Sequence, residues 1–351
     1  MTIAWTLYPA AQLSRLSAKW NTLNAESGNL PFLDTAFLLP LLECFGSGAE
    51  RIAIAQRGED AVAAAILLPL GRGRWHTFQP SQLPLGAWIA RPGDLPANLL
   101  PALIRALPGI TLSVGLTQLD SRFVTPPENG PLIDHLDYIE TAWVDIDTDF
   151  ETYWNGRGKN LRTNTRKQRS KLENEGIQLA LDVLTRPEDI AAALAEYGRL
   201  EASGWKVGTG TAVAPDNAQG RFYRAMLEAF CAQGRGEVWR YRFGDTTVAM
   251  DLCIAAGRTL VILKTAFDSN HKTTSPATLL HQDAFRRVFE SGSYDRIEFY
   301  GRVMEWHTRW TDRARKLFHI TAYRWAVISQ ARALAKRFRS QQEAQPVLSQ
   351  E

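Results

Sequence analysis

Lys264 stands among Val261, Leu263 and Phe267, in a run that alternates like a strand. An ammonium in such surroundings is costly without a partner. Asp268, at the end of the same run, and Glu298, in a later strand-like run, are the candidate partners. A carboxylate held against a lysine at a strand end can take a proton from an attacking amine or hydroxyl; the same pair can also be purely structural. Lys264, Asp268 and Glu298 are therefore the catalytic candidates. Just downstream, His271 and Lys272 lie in the polar stretch 268–274, and Ser275-Pro276 reads as a helix opening, with Ser as N-cap and Pro at the first helical position. Free N–H groups at a helix start, together with neighbouring cations, suit a phosphate. His271, Lys272, Ser275 and Thr278 are the candidates for that site, against the alternative of a solvated loop. Asp251, between Met250 and Leu252, points to the opposite face from both, either toward the cleft or, by preference, to water. Trp306, His307 and Trp310 follow the last strand-like run, where aromatic rings stack on a sugar or pack a core.

The elements that must position these residues are legible from periodicity. Residues 187–197 and 221–231 read as helices, the first with Ile190, Leu194 and Tyr197 on one face. Residues 237–243 alternate as a strand, Gly244-Asp245 turns, 247–255 returns, Gly257-Arg258 turns again, and 259–267 is a third strand. The helix from Pro276 carries Leu279, Leu280, Ala284, Val288 and Phe289 on its apolar face and ends at Ser291-Gly292-Ser293, before a strand at 296–300. A strand, loop, helix and strand in that order leave the two strands parallel. A mostly antiparallel sheet with one such splayed pair offers a cleft.

The first half repeats this layout. Leu42-Glu43-Cys44-Phe45 answers Leu227-Glu228-Ala229-Phe230, Gly58-Glu59-Asp60 answers Gly244-Asp245-Thr246, Gly71-Arg72 answers Gly257-Arg258, Phe78 answers Phe267, and Pro96-Ala97-Asn98-Leu99-Leu100 answers Pro276-Ala277-Thr278-Leu279-Leu280. Two copies of one α/β module are expected, at 1–140 and 141–325, followed by a C-terminal helix and a frayed tail over 326–351. Between Phe78 and Pro96 the first copy has a longer Pro- and Gly-rich stretch without a lysine, so the working site is expected in the second.

Several stretches of the second copy resemble one known group. Glu201-Ala202-Ser203-Gly204-Trp205-Lys206 with Gly210-Thr211-Ala212, Lys264-Thr265-Ala266-Phe267-Asp268, Ser275-Pro276-Ala277-Thr278-Leu279-Leu280, and Ile297-Glu298-Phe299-Tyr300-Gly301 followed by Trp306 resemble, in order and spacing, the GNAT-fold acetyltransferases named after cellulose-biosynthesis acetyltransferases, related to Fem-type peptidyltransferases. The resemblance spans roughly 154–325. It implies tandem GNAT-like acyl-CoA N-acyltransferase domains of α/β (α+β) class, with mixed, mostly antiparallel sheets flanked by helices, the first domain degenerate. It implies acyl-CoA, such as acetyl-CoA, as co-substrate, and an amine or hydroxyl acceptor, a small molecule or a saccharide such as an envelope precursor. It implies an acceptor side lined by Glu201, Trp205, Lys206, Tyr300 and Trp306. Ala277 stands where the group has Gly, and no Q-x-x-G-x-G pyrophosphate loop lies between Phe267 and Pro276.

A basic run, Arg157, Lys159, Arg162, Arg166, Lys167, Arg169 and Lys171, contains no acid. As a helix it stacks 159, 162, 166 and 169 on one stripe. That stripe suits a solvated face, a phosphate or an RNA; Fem-like transfer from aminoacyl-tRNA and a non-catalytic anionic-polymer module are thus the alternatives to acyl-CoA chemistry. The net charge of +3 in 351 residues does not mark the whole chain as a nucleic-acid binder. Cys44, Cys231 and Cys253 lack metal-ligand spacing, so no metal is expected, and reduced thiols fit a cytoplasmic location. No signal peptide and no apolar run long enough to span a membrane are evident. Residues 325–338 read as an amphipathic helix with Ile328, Leu334 and Phe338 on its apolar stripe.

Overall fold

Gly58 and Gly244 hold the same place in two hairpins, and both adopt the left-handed backbone, with φ of 66° and 57°, which only glycine takes without steric cost. They belong to two compact units of a computed structural model that describes residues 3–203 and 212–331. Trp205, Lys206 and the end of the expected C-terminal helix lie outside the described residues.

The first unit comprises 3–28, 47–138 and 316–331. Its elements are β1 (Ile3–Pro9), α1 (Leu13–Glu26), β2 (Arg51–Arg57), β3 (Asp60–Gly71), β4 (Arg74–Thr77), β5 (Trp88–Ala90), α3 (Pro96–Ala106), β6 (Ser113–Asp120), the first part of β7 (Ile133–Asp145) and most of β13 (Ala314–Tyr323), with α2 (Thr35–Phe45) assigned elsewhere. The strand order is β1-β2-β3-β4-β6-β13, antiparallel except for the parallel β4–β6 pair. Alternate residues of β2, β3 and β6 meet α3 in a core that includes Ala53, Ala63, Leu99, Leu103, Leu116 and Phe318.

The second unit comprises 29–46 and 139–315. It holds α2, the end of β7, α4 (Phe150–Asn155), α5 (Lys159–Asn174), β8 (Leu179–Leu184), α6 (Pro187–Ala202), α7 (Ala218–Ala232), β9 (Gly236–Phe243), β10 (Thr246–Ala256), β11 (Thr259–Phe267), α8 (Pro276–Ser291), β12 (Arg296–Glu298) and α9 (Glu305–Thr308). The order is β8-β9-β10-β11-β12-β7, again antiparallel except for one pair, β11–β12. Pro begins both α3 and α8, at equivalent places. Along the chain both repeats therefore run strand, two helices, three-stranded meander, helix, parallel strand, the mixed α/β fold that the repeat implied, although the second helix of the first repeat, α2, belongs to the second unit.

The contiguous boundaries expected from the repeat are exchanged at two places. Residues 29–46 belong to the second unit, where α2 packs its Phe37 ring 5.1 Å and its Phe45 ring 5.8 Å from Phe222 of α7. Residues 316–323 belong to the first, where β13 pairs with β6 and buries Phe318 and Ile320. Its counterpart β7 pairs with β12 in the second. Apolar periodicity shows that α2 and β13 each bury a face but not which core receives it.

Candidate active site

The site begins with a failure of pairing. β11 and β12 pair only over 259–261 with 296–298, and residues 262–267 of β11 continue beyond that point. At the same place β11 carries a bulge: Lys264 faces Leu252 and Ile262 faces Cys253, leaving Leu263 extra in the register. A bulge bends its strand and re-aims the side chains that follow. The chain after β12 turns the other way, toward β7, with Phe299 N donating to Ala142 O at 3.2 Å and Val303 N to Glu140 O at 2.9 Å. Tyr300 sits at φ 40°, a left-handed conformation costly for an aromatic residue. The gap is a cavity of about 590 Å³, lined by Thr265, Ala277, His281, Phe299, Trp306 and Trp310 among others.

Lys264 finds neither expected partner. Its Nζ lies 2.9 Å from Glu201 Oε1 in α6, with the Tyr223 and Tyr197 rings 5.1 and 5.8 Å away. Glu201 is buried and also accepts Val213 N at 2.8 Å. Glu298 is wholly buried and pairs with Arg315 at 2.9 Å and Arg296 at 3.6 Å. Asp268 accepts Asn270 N at 2.9 Å and caps the 3-10 turn Ser269–Thr274. The three catalytic candidates are thus separately engaged. The sequence could not decide among acids because the partner came from a helix some sixty positions upstream rather than from the neighbouring strand.

The anion-site candidates divide. Lys272, Ser275 and Thr278 line the cavity; His271 instead sets its ring edge-on to Phe243, 5.6 Å away. Ser275 is not a side-chain cap. It takes φ 51°, ψ 55°, and its carbonyl oxygen accepts Thr278 N at 2.9 Å. A residue before proline is disfavoured in the right-handed helical region and is usually extended, as Leu95 and Arg186 are before Pro96 and Pro187; Ser275 is left-handed instead. Tyr300 and Trp306 line the cavity as well.

The sequence reading leaves Asp251 between the cleft and water, with water preferred, and misses His281. Asp251 does not meet water: it is 0% exposed, because the face opposite Met250 and Leu252 is covered by α8. His281 Nε2 lies 2.9 Å from Asp251 Oδ2. The signal was present, since His281 falls four residues before Phe285 and seven before Val288, on the buried face of α8. Its ring is stacked on Phe285 at 5.5 Å. His307, also buried, accepts Met304 N at Nδ1, 2.9 Å away, which leaves Nε2 as a donor. Burial, with the nearby His281 adding to it, pushes the His307 pKa down to about 4. It is therefore a neutral donor near pH 7, suited to a developing oxyanion.

The basic run does form a helix, α5, and its stripe lines a groove of about 650 Å³ with Trp154 and Gln282. Arg169 pairs with Asp283, and Arg157 donates to Trp310 O at 3.0 Å. Lys159, Arg166 and Lys167 have no ion-pair partner among the described residues. No helix among the described residues is long and apolar enough to cross a membrane.

Residues 159–308 match the sequence model of the family described as "Acetyltransferase (GNAT) domain". No curated protein matches the chain in sequence. Among solved structures the fold is similar to that of FemX, with 8% identity, coverage of 87% of this chain and 95% of that one, and a TM-score of 0.57. It is similar to the C-terminal domain of a putative lysylphosphatidylglycerol synthetase from Agrobacterium fabrum, at 13% identity, 88% and 92% coverage and a TM-score of 0.56. A conserved protein of unknown function from Bacteroides thetaiotaomicron aligns at 12% identity, 92% and 100% coverage and 0.55. These likenesses concern the fold; the match to the GNAT acetyltransferase family, over less than half of the chain, covers β11, α8 and β12, the elements that build the cavity, and supports an acyltransferase.

Proposed function

We propose that the protein moves an acetyl or other acyl group from acyl-CoA to an amine or hydroxyl on a small molecule or saccharide, such as an envelope precursor, by direct attack. The observation that carries this reading is the cavity between β11 and the start of α8. A pantetheine-like chain fits beside a strand that continues past its last neighbour, as an added strand would. Its phosphates suit the positive end of the α8 dipole, with Lys272 alongside. Attack then needs the thioester carbonyl held against the acceptor, a proton acceptor and a donor to the oxyanion. Glu201, Lys264, Tyr300 and Trp306 are the proposed acceptor-side residues, with Lys264 and Glu201 acting as one pair. Thiol release from a panel of acyl-CoA thioesters, with amine and hydroxyl acceptors, tests the reading; no release and no thermal stabilisation by any acyl-CoA would refute it.

A second reading, transfer from aminoacyl-tRNA, is favoured by Lys159, Arg162, Arg166 and Lys167 of α5, which have no ion-pair partner among the described residues. Under it, charged tRNA stabilises the protein, and the effect falls steeply with salt.

A further inference from the structure

We propose that Asp251 and His281 are the proton-accepting couple of the transfer, with His281 the base and Asp251 its positioning residue. This rests on the acyl-transfer reading of the same cavity. A carboxylate in the middle of β10, 0% exposed, is a poor core residue; an apolar side chain of similar size would stabilise the sheet better. Among the described residues neither Asp251 oxygen accepts a hydrogen bond, and His281 Nε2 is the basic group beside it. The 2.9 Å approach is close but outside hydrogen-bond alignment, as catalytic contacts often are before substrate tightens them. With Nε2 turned to the carboxylate, the lone pair rests on Nδ1, and the His281 ring lines the cavity. The ring is held by Phe285, Trp306 and Trp310, at 5.5, 5.8 and 5.5 Å.

The other titratable and cationic groups lining the cavity do not compete for the role. Lys264 is committed to Glu201. His307 uses its Nδ1 lone pair on Met304 N. Lys272 and Arg309 are cationic, and the Tyr300 hydroxyl is a weak base. His281 remains as the imidazole with an uncommitted nitrogen.

The step balances within the substrates. The acceptor N–H or O–H attacks the thioester carbonyl carbon, forming the new C–N or C–O bond and pushing the carbonyl electron pair onto oxygen. Its proton passes to His281 Nδ1. The oxyanion then collapses, the C–S bond breaks, and the departing thiolate takes the proton back from the imidazolium.

The test combines kinetics with nitrogen-15 NMR of the ring. His281→Gln is expected to lower kcat for thiol release by about 10² to 10⁴-fold, with the dissociation constant for the acyl-CoA unchanged within about threefold and the acid limb of the kcat–pH profile removed. Asp251→Asn is expected to lower kcat about 10 to 10²-fold and to change the ring tautomer. In the wild-type protein, long-range nitrogen–proton spectra should show Nε2 protonated and Nδ1 bare. A His281→Gln variant that keeps kcat within threefold, or a wild-type ring protonated at Nδ1, overturns the proposal. The NMR arm needs neither variant nor turnover. A wild-type protein with the expected tautomer that neither binds nor cleaves any acyl-CoA would leave the couple standing and refute the donor.

Discussion

The two units part their parallel strands at the same point and with opposite results. In the first, β4 and β6 pair over 74–76 with 113–115, then separate, as β11 and β12 do. There the gap is stitched shut. Thr77 Oγ1 lies 2.7 Å from Thr117 Oγ1 and accepts Thr117 N at 2.9 Å. Gly86 N donates to Thr117 O at 2.9 Å, and a Cβ on Gly86 would come within 2.4 Å of that carbonyl oxygen and of Thr77 Oγ1. In the second unit Ile262 and Tyr300 occupy the corresponding register, and the gap is the 590 Å³ cavity. The topology is shared; what differs is the connection. Residues 79–87 fold back into the first gap, whereas Ser269–Thr274 makes a short 3-10 turn beside the second. A splayed pair becomes a site only when its own connecting chain stays out of it.

The largest test of this contrast concerns charge. The second unit places Lys264 and Glu201 beside its gap, both largely buried. Counted on from the paired strands, the first unit has Gln79 at the place of Lys264, which sets Phe78 opposite Leu263 and not the expected Phe267; the Gln79 Nε2 serves its own loop, reaching Leu83 O and Pro84 O at 3.4 Å. Removing one member of a buried pair strands the other, so Glu201→Ala should cost roughly 3–5 kcal/mol in urea unfolding. The double variant Glu201→Gln, Lys264→Met should recover much of that. Gln79→Ala should cost under about 1 kcal/mol. Equal losses at Glu201 and Gln79 would erase the distinction.

The next test opens one gap and fills the other. Gly86→Val forces a side chain against backbone that cannot yield, and about 3 kcal/mol of stability should be lost. Acyl-CoA affinity should be little changed if the first unit is closed. At Gly301, which lines the cavity, a Cβ meets nothing nearer than Phe299 O at 4.0 Å, so Gly301→Val adds its bulk at an open position. It should leave the melting temperature nearly unchanged while lowering acyl-CoA affinity at least tenfold, because the new methyls enter the cavity. Loss of affinity in Gly86→Val instead would assign the donor to the first unit.

Two histidines sharpen the comparison by pH. His307, in the second unit, and His319, in the first, each accept a backbone N–H at Nδ1, from Met304 and from Gln118, and burial lowers both pKa values. For His307 the folded value is about 4 against an ordinary 6.5. Between those limits the unfolded chain holds the extra proton, so stability falls as pH drops from 6.5 toward 4 and is fully present above 6.5. Relative to His307→Gln, the wild-type protein should lose roughly 2 kcal/mol over that window. His319→Gln should show the same sign with no effect on turnover, whereas His307→Gln should also lower kcat if its Nε2–H serves the oxyanion. A pH-independent difference in stability would show that His307 is not held neutral.

How far the sequence reached follows from the same physics. Turns that need a left-handed glycine, such as Gly58 and Gly244, and helices opened by proline, such as Pro96 and Pro276, are local, and the repeat was legible from them. The exchange of α2 and β13 was not, because a buried face does not name its partner. The anion-site loop was legible, but residue type alone makes Ser275 a cap and does not show its left-handed backbone. Lys264 was recognised from its apolar setting, but its acid came from α6. Asp251 stays between cleft and water in the sequence because alternation gives two faces without saying that both are covered. His281 required knowing which side of α8 faces the sheet.

The smallest effect belongs to Lys272. It lines the cavity beside the start of α8 and has no ion-pair partner among the described residues. With no acid paired to its ammonium among the described residues, a donor phosphate is the natural counter-charge. An exposed charge contact at a helix start contributes about 1 kcal/mol. Lys272→Ala should therefore weaken acyl-CoA binding about fivefold, leave kcat at saturation unchanged, and lose its effect as salt is raised. The matching probe in the first unit is Arg91, which follows the stitched segment and is already paired with Glu26 at 2.8 Å; Arg91→Ala should not alter donor affinity at any salt. Asp268→Asn sharpens the assignment from the other side. Asparagine keeps the acceptor that caps the 3-10 turn, so a purely structural Asp268 should tolerate the change with turnover intact. If Lys272→Ala binds the donor like wild type at low salt while Asp268→Asn loses turnover, the loop contributes through its carboxylate and not through the anion site, and the opening of α8 is not where the donor's phosphates lie.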